Sequence, residues 1–117
     1  MKVLLVDDEQ ELVATLAERL AFRGVDAEWA TNGHDAVVLA RRERFDVAVL
    51  DVKMPRVSGI QLKKEIESIR PEMKFIFVTG HGSEEDFRIG SAVADRYLAK
   101  PLDIESLVQA LTEVVAT

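Results

Sequence analysis

Hydrophobic positions along the chain alternate between short continuous runs and helically spaced stripes. The run Val3-Leu4-Leu5-Val6, closed by Asp7-Asp8, has the pattern of a strand buried on both faces. Leu12, Val13, Leu16, Ala17 and Leu20 then fall at helical spacing, and Gly24 stands where a left-handed residue would end that helix. The alternation recurs. Val25–Ala30 reads as a short strand, and Asn32 as the N-cap of a helix that turns Ala36, Val37, Leu39 and Ala40 inward. Phe45–Leu50 is the next strand. Ser58 caps a helix presenting Leu62, Ile66 and Ile69, and Pro71 forbids its continuation. Phe75–Val78 is a fourth buried strand.

Beyond it the pattern weakens. Ser83, with Asp86 three residues on, resembles a capping box and opens a weak helix running to Ala94. That helix contains Gly90, and Phe87, Ile89 and Val93 are its large apolar residues. Tyr97–Ala99 is a short fifth strand, and Asp103 caps a last helix whose predicted buried stripe is Leu107, Val108, Leu111, Val114 and Val115. The order is (βα)5. Doubly buried strands alternating with helices imply an α/β fold, a parallel sheet covered on both faces and joined by right-handed crossovers. In such sheets a site lies at the carboxyl ends of the strands.

Composition narrows the class. Of 117 residues 48% are hydrophobic and 31% charged, which suits one soluble core, and no repeat, low-complexity run or linker divides residues 1–117 into two domains. Cysteine is absent, which excludes a disulfide scaffold, a zinc–thiolate site and an iron–sulfur cluster and fits a reducing, cytoplasmic location. The apolar run near the start is far shorter than the roughly 7–15 residues of a signal-peptide core, so no membrane role is expected. A net charge of −6 repels a phosphate backbone, and Glu43 interrupts the densest basic group, Arg41, Arg42 and Arg44. Direct nucleic-acid binding by this domain is therefore not expected.

The strand ends carry the chemistry. Asp7-Asp8 follow the first strand, Asp51 the third, Thr79-Gly80 the fourth and Lys100-Pro101 the fifth. Three acids converging on one rim repel one another and ask for a divalent cation; with oxygen ligands alone on offer, Mg²⁺ suits. A carboxylate beside Mg²⁺, with a fixed cation and a hydroxyl near, can attack a phosphoryl group and become an acyl phosphate. Taken singly, each residue has an ordinary reading. Asp7-Asp8 can cap a helix, Asp51 can be a turn residue, Thr79 a strand-end hydroxyl and Lys100 a solvated charge. Those readings do not explain why every polar strand end supplies a part of one phosphoryl site.

The strings Val3–Glu9 (VLLVDDE), Asp51–Gly59 (DVKMPRVSG), Val78-Thr79-Gly80 and Tyr97–Pro101 (YLAKP) together resemble the response-regulator receiver domain of bacterial two-component signalling, over essentially the whole chain. The resemblance implies a doubly wound, flavodoxin-like sheet of order 2-1-3-4-5. It implies that Asp51 accepts a phosphoryl group from a phosphohistidine on a sensor histidine kinase, and that Asp7, Asp8, Asp51 and the backbone carbonyl of Lys53 hold Mg²⁺. Lys100 would contact a phosphoryl oxygen, Thr79 would follow the group inward, and Tyr97 would change rotamer with it. The face remodelled in this way is made by the predicted fourth helix, fifth strand and fifth helix, and it would control an output domain or downstream protein. The Lys100-Pro101 bond is expected to be cis. By this resemblance the chain is a signalling module, not an enzyme, that catalyses its own phosphorylation and slow dephosphorylation.

Several residues modify that picture. The weak Ser83–Ala94 helix, preceded by Gly80 and Gly82, is the soft element through which a new phosphoryl charge can act. Many receivers have Gly-Ala where Val93-Ala94 stand here, and Arg96 beside Tyr97 is either stacked on the aromatic ring or solvated. His81 either tunes hydrolysis near the phosphoryl site, alongside Lys53, or is an exposed loop imidazole; His34 reads as a surface residue and Trp29 as packing. Apolar residues near Tyr97 and the last helix can support a phosphorylation-dependent homodimer. Two other functions compete. An aspartyl-phosphate phosphatase resembling the haloacid dehalogenases would carry a general acid two residues after its nucleophile, where Lys53 stands. A phosphorylation-independent docking domain is opposed by the intact acidic set. With Thr117 close behind the last helix, the expectation is a stand-alone receiver or the amino-terminal piece of a longer regulator.

Overall fold

A computed structural model of the chain describes residues 1–80 and 94–116. Its elements are β1 (Lys2–Val6), α1 (Gln10–Phe22), β2 (Asp26–Ala30), α2 (Gly33–Arg42), β3 (Val47–Asp51), α3 (Gly59–Ile69), β4 (Lys74–Thr79), β5 (Arg96–Ala99) and the C-terminal α4 (Ile104–Val115). The five strands form one sheet in the order β2-β1-β3-β4-β5, and every pairing is parallel. The predicted helix from Ser83 to Ala94, with Gly82, Gly90, His81 and Val93, lies outside the described residues except for Ala94.

Period-two alternation along the strands sorts the core onto two faces. Val3 and Leu5, Val47 and Val49, and Ile76 and Val78 pack against Leu16 and Leu20 of α1 and Leu107 and Leu111 of α4. Leu4 and Val6, Ala48 and Leu50, and Phe75 and Phe77 pack against Ala36 and Ala40 of α2 and Leu62 and Ile66 of α3. Trp29 is half-buried on the first of these faces, as the packing reading expects, and His34 is exposed.

Local signals set the helix ends. Gly24 takes φ 78° and donates to the Ala21 carbonyl at 3.1 Å while Val25 donates to that of Leu20 at 3.0 Å, a Schellman stop that a residue with a Cβ would strain. Asn32 and Asp103 accept from the third-residue N–H of α2 and α4, and Ser58 with Gln61 makes a full capping box on α3. Arg70 reaches from the end of α3 to the last carbonyls of α2, with Nε 2.9 Å from Ala40 O and Nη2 3.2 Å from Arg41 O. It satisfies acceptors that the helix itself leaves open.

Several boundaries and faces differ from the sequence reading, among them the start of β3 at Val47 instead of Phe45. Asp51 and Thr79 are the last residues of β3 and β4 instead of the first beyond them, because a polar side chain does not stop a backbone ladder. The second strand starts at Asp26 and not at Val25, whose N–H is taken by the Schellman stop. On α4, Val115 is 40% exposed and Ala110 is buried in its place, since a stripe built on Leu107, Leu111 and Val114 passes through position 110. Arg96 is exposed, as the solvated reading expects, and its Nη1 forms an ion pair with Glu113 of α4.

Candidate functional site: the carboxyl edge of the sheet

Parallel pairing carries all five strands to one edge, and the register places Asp51 beside Val78 and Thr79 beside Ala99. Asp7 leaves β1 with its N–H 3.3 Å from Ala30 O, so it still follows the neighbouring strand. Its Oδ1 accepts the Glu9 N–H at 2.9 Å. The N-cap of α1 is Glu9, with no side-chain capping bond, so neither Asp7 nor Asp8 is occupied in capping that helix. After β3 the chain folds back on itself: Gly59 N–H donates to Val52 O at 2.9 Å, and a Cβ at Gly59 would lie 2.4 Å from the Asp51 carbonyl oxygen. Only glycine allows that approach. Lys53 N–H points back to Asp51 Oδ1 at 3.3 Å, and Arg56 takes φ 73° within the same loop. At the far side, Lys100 N–H donates to Thr79 O at 2.8 Å, and the Lys100-Pro101 bond is cis.

This arrangement gathers one carboxylate oxygen from each of Asp7, Asp8 and Asp51 within 4.8 Å of one another. Asp7 and Asp51 are buried and Asp8 is exposed. Lys100 Nζ lies 2.6 Å from Asp7 Oδ2, 3.6 Å from Asp51 Oδ2 and 3.5 Å from Glu9 Oε1. With its side chain 18% exposed it is not the solvated charge of the ordinary reading. Burial, reinforced by the neighbouring Asp7 charge, pushes the Asp51 carboxyl up to about 6, against the opposing pull of Lys100 and the Lys53 N–H. Burial also works against the Lys100 ammonium, but its hydrogen bond to Asp7 and the charges of Asp51, Asp7 and Glu9 outweigh it and raise its pKa.

A cleft of about 620 Å³ opens over these groups, lined by Asp8, Asp51, Lys53, Thr79 and Lys100 among others. The buried Thr79 Oγ1 has no hydrogen-bond partner among the described residues, and such a hydroxyl is costly to bury unless a ligand oxygen completes it. Three clustered carboxylates facing one ammonium leave an excess of negative charge, and the donors are all oxygen. That set fits a hard divalent cation such as Mg²⁺ or Ca²⁺.

The structure thus brings together Asp7, Asp8, Asp51, Lys53, Thr79, Lys100 and Pro101. Tyr97 is half-buried among the residues packed by α2 and α3, away from the cleft lining, and His81 lies outside the described residues. Sequence reasoning missed Glu9, whose carboxylate reaches Lys100. The available signal was a third acid directly after Asp7-Asp8 at a helix start.

The response regulator receiver domain family matches residues 3–112. Response regulator MprA of Mycobacterium leprae is 34% identical over 109 residues, covering 92% of this chain and 48% of MprA. Transcriptional regulatory protein GlrR of Escherichia coli is 34% identical over 119 residues, covering 97% of this chain and 26% of GlrR. The chain therefore spans about half, or less, of the length of these relatives. Among solved structures, a response regulator from Burkholderia pseudomallei with a phosphorylated aspartic acid, calcium ion and citrate superposes with TM-score 0.87 at 30% identity, over 98% of this chain and 68% of that one. A CheY-like receiver domain protein from Methanospirillum hungatei gives 0.90 at 30% identity, over 98% and 93%. The motifs, the 2-1-3-4-5 sheet and the family match agree: the chain belongs to the response regulator receiver domain family, the signalling modules of two-component systems.

Proposed function

We propose that Asp51 is the phosphoacceptor of this receiver, taking a phosphoryl group from a phosphohistidine of a sensor histidine kinase. The convergence of Asp7, Asp8 and Asp51 around Lys100 carries this reading. Of the two buried acids Asp51 is the less engaged. Asp7 is engaged on both oxygens, by the Glu9 N–H and by Lys100 at 2.6 Å, and Asp8 is exposed. Asp51 is buried, opens onto the cleft, lies 3.6 Å from Lys100 Nζ and, among the described residues, accepts one long hydrogen bond at 3.3 Å.

As an Asp51 carboxylate oxygen bonds to phosphorus, the phosphorus–nitrogen bond of the donor breaks. The imidazole leaves neutral, with the proton on its other nitrogen, and an aspartyl phosphate remains. Asp7, Asp8, Asp51 and the Lys53 carbonyl would hold Mg²⁺, which supplies positive charge against that of the phosphoryl oxygens. Lys100 turns from Asp51 to a phosphoryl oxygen, and Thr79 Oγ1 donates to another. Tyr97 responds to Thr79, and the face of β5, α4 and the segment between Thr79 and β5 signals to an output domain or partner, including a second phosphorylated copy. Lys53 and His81 set the rate of hydrolysis. This activity belongs to one domain spanning residues 1–117 and acting in the cytoplasm, without direct contact to nucleic acid; no helix among the described residues is long and apolar enough to cross a membrane.

The test is intact mass after incubation with Mg²⁺ and a small acyl-phosphate donor. One phosphoryl group is expected on the wild type and none on Asp51→Asn or in EDTA. Persistent labelling of Asp51→Asn would move the acceptor elsewhere, and an unlabelled but folded wild type would favour a docking module that works without phosphate.

A further inference from the structure

Glu9 stands beside the phosphoryl site and has no part in the reading above. It occupies the N-cap position of α1, where a side chain ordinarily accepts an N–H of the first turn, yet its carboxylate makes no such bond. Its backbone is held on both sides instead, the N–H by Asp7 Oδ1 at 2.9 Å and the carbonyl by the Val13 N–H at 3.2 Å. From that fixed base Oε1 reaches to 3.5 Å from Lys100 Nζ and lines the mouth of the cleft. The Glu9 side chain is 67% exposed and that of Asp7 7%, so the ammonium bridges one carboxylate in solvent and one inside the fold.

A fourth acid at this place acts in opposite senses on the two species the site takes. Its charge attracts a divalent cation. The same charge repels an anionic phosphoryl donor, and its hold on Lys100 competes with the phosphoryl oxygens that need that ammonium. We propose that Glu9 is a positioning residue that tethers Lys100 at the cleft mouth, favouring cation binding while slowing phosphoryl uptake from anionic donors. The half concerning uptake rests on Asp51 being the phosphoacceptor; the half concerning the cation does not.

The experiment compares wild type, Glu9→Gln, Glu9→Asp and Asp51→Asn, with circular dichroism to verify folding. Calorimetric titration gives the Kd for Mg²⁺, and intact mass gives the rate of phosphorylation by a small acyl-phosphate donor at saturating Mg²⁺. At low salt Glu9→Gln should raise the Kd about threefold and speed phosphorylation about threefold, the size expected for one exposed charge acting at several ångströms. Both changes should shrink in about 0.5 M salt, and Glu9→Asp, which keeps the charge, should retain the wild-type cation affinity. A merely structural role would not move the two quantities in these opposed directions. The proposal is overturned if either quantity is unchanged in Glu9→Gln, if the variant weakens cation binding and also slows phosphorylation, or if salt leaves the effects intact. A wild type that gains no phosphoryl group, or an Asp51→Asn that gains one, would instead remove the Asp51 reading; the Mg²⁺ titration then decides the role of Glu9 by itself.

Discussion

Replacing Asp51 with Asn should make the metal-free domain more stable while abolishing its phosphorylation. Folding raises the Asp51 carboxyl from 3.8 to about 6, mainly by burial and then by the charge of Asp7. That is a rise of about two units, and at about 1.4 kcal/mol per unit the ionised group costs the native state up to about 3 kcal/mol. Water at the open cleft mouth screens part of this, leaving about 1–2 kcal/mol as the gain from a neutral isostere. The sign follows from proton linkage. Because the folded pKa is the higher one, the penalty is fully present above about pH 6, fades as the pH falls toward the unfolded value, and is absent below it. Thermal denaturation in EDTA should therefore show Asp51→Asn melting a few to about 8 °C higher near pH 7.5. The advantage should fall to about a third near pH 4.5. Saturating Mg²⁺ should narrow or reverse the difference, since the wild type gains binding energy that the variant has partly lost. A variant less stable than wild type near pH 7.5, or an advantage independent of pH, would refute the account of Asp51 as a buried carboxylate under repulsion.

Other substitutions separate the scaffold from the chemistry. Gly59→Ala places a methyl 2.4 Å from the Asp51 carbonyl oxygen, so the loop must move; a loss of about 2 kcal/mol or more in urea denaturation and slower phosphorylation are expected, and an unchanged midpoint would show the contact to be soft. Arg70→Ala leaves the Ala40 and Arg41 carbonyls to water and should cost about 1–2 kcal/mol in the same assay, with no effect on phosphorylation. Lys100→Met removes the ammonium between Asp7 and Asp51. Phosphorylation measured by intact mass should slow about 100-fold, while calorimetry should show Mg²⁺ binding more tightly because a competing cation is gone.

What was legible in the sequence is what each segment decides locally. Val3–Val6 and Phe75–Val78 are short, continuous and rich in β-branched and aromatic residues, so they read as interior strands, and both are buried on both faces. Gly24, Asn32, Ser58 and Asp103 each act within a few residues of a helix end, and all four do in the fold what their positions predict. Val115 was misplaced because, one residue round the helix from Val114, its apolar character says little about which side of the stripe it falls on; the small Ala110 completes the buried face. The pairing of Glu9 with Lys100, and of Arg96 with Glu113, joins elements distant in sequence and has no local signature, although the third acid after Asp7-Asp8 marked Glu9 itself.

The site itself was legible for a different reason. A charged or hydroxylic side chain at the end of a buried strand is costly unless something at that edge receives it. Asp7, Asp51, Thr79 and Lys100 each follow or end such a strand, so once the strands are taken as parallel their costs fall due at one place. Lys100 meets part of the demand by reaching Asp7 and Asp51, and leaves negative charge over. The Thr79 hydroxyl, without a partner among the described residues, adds an unmet donor to that surplus of acceptors. On the proposed function a divalent cation would answer the first and a phosphoryl oxygen the second, so the imbalance of the resting edge would itself select what binds there.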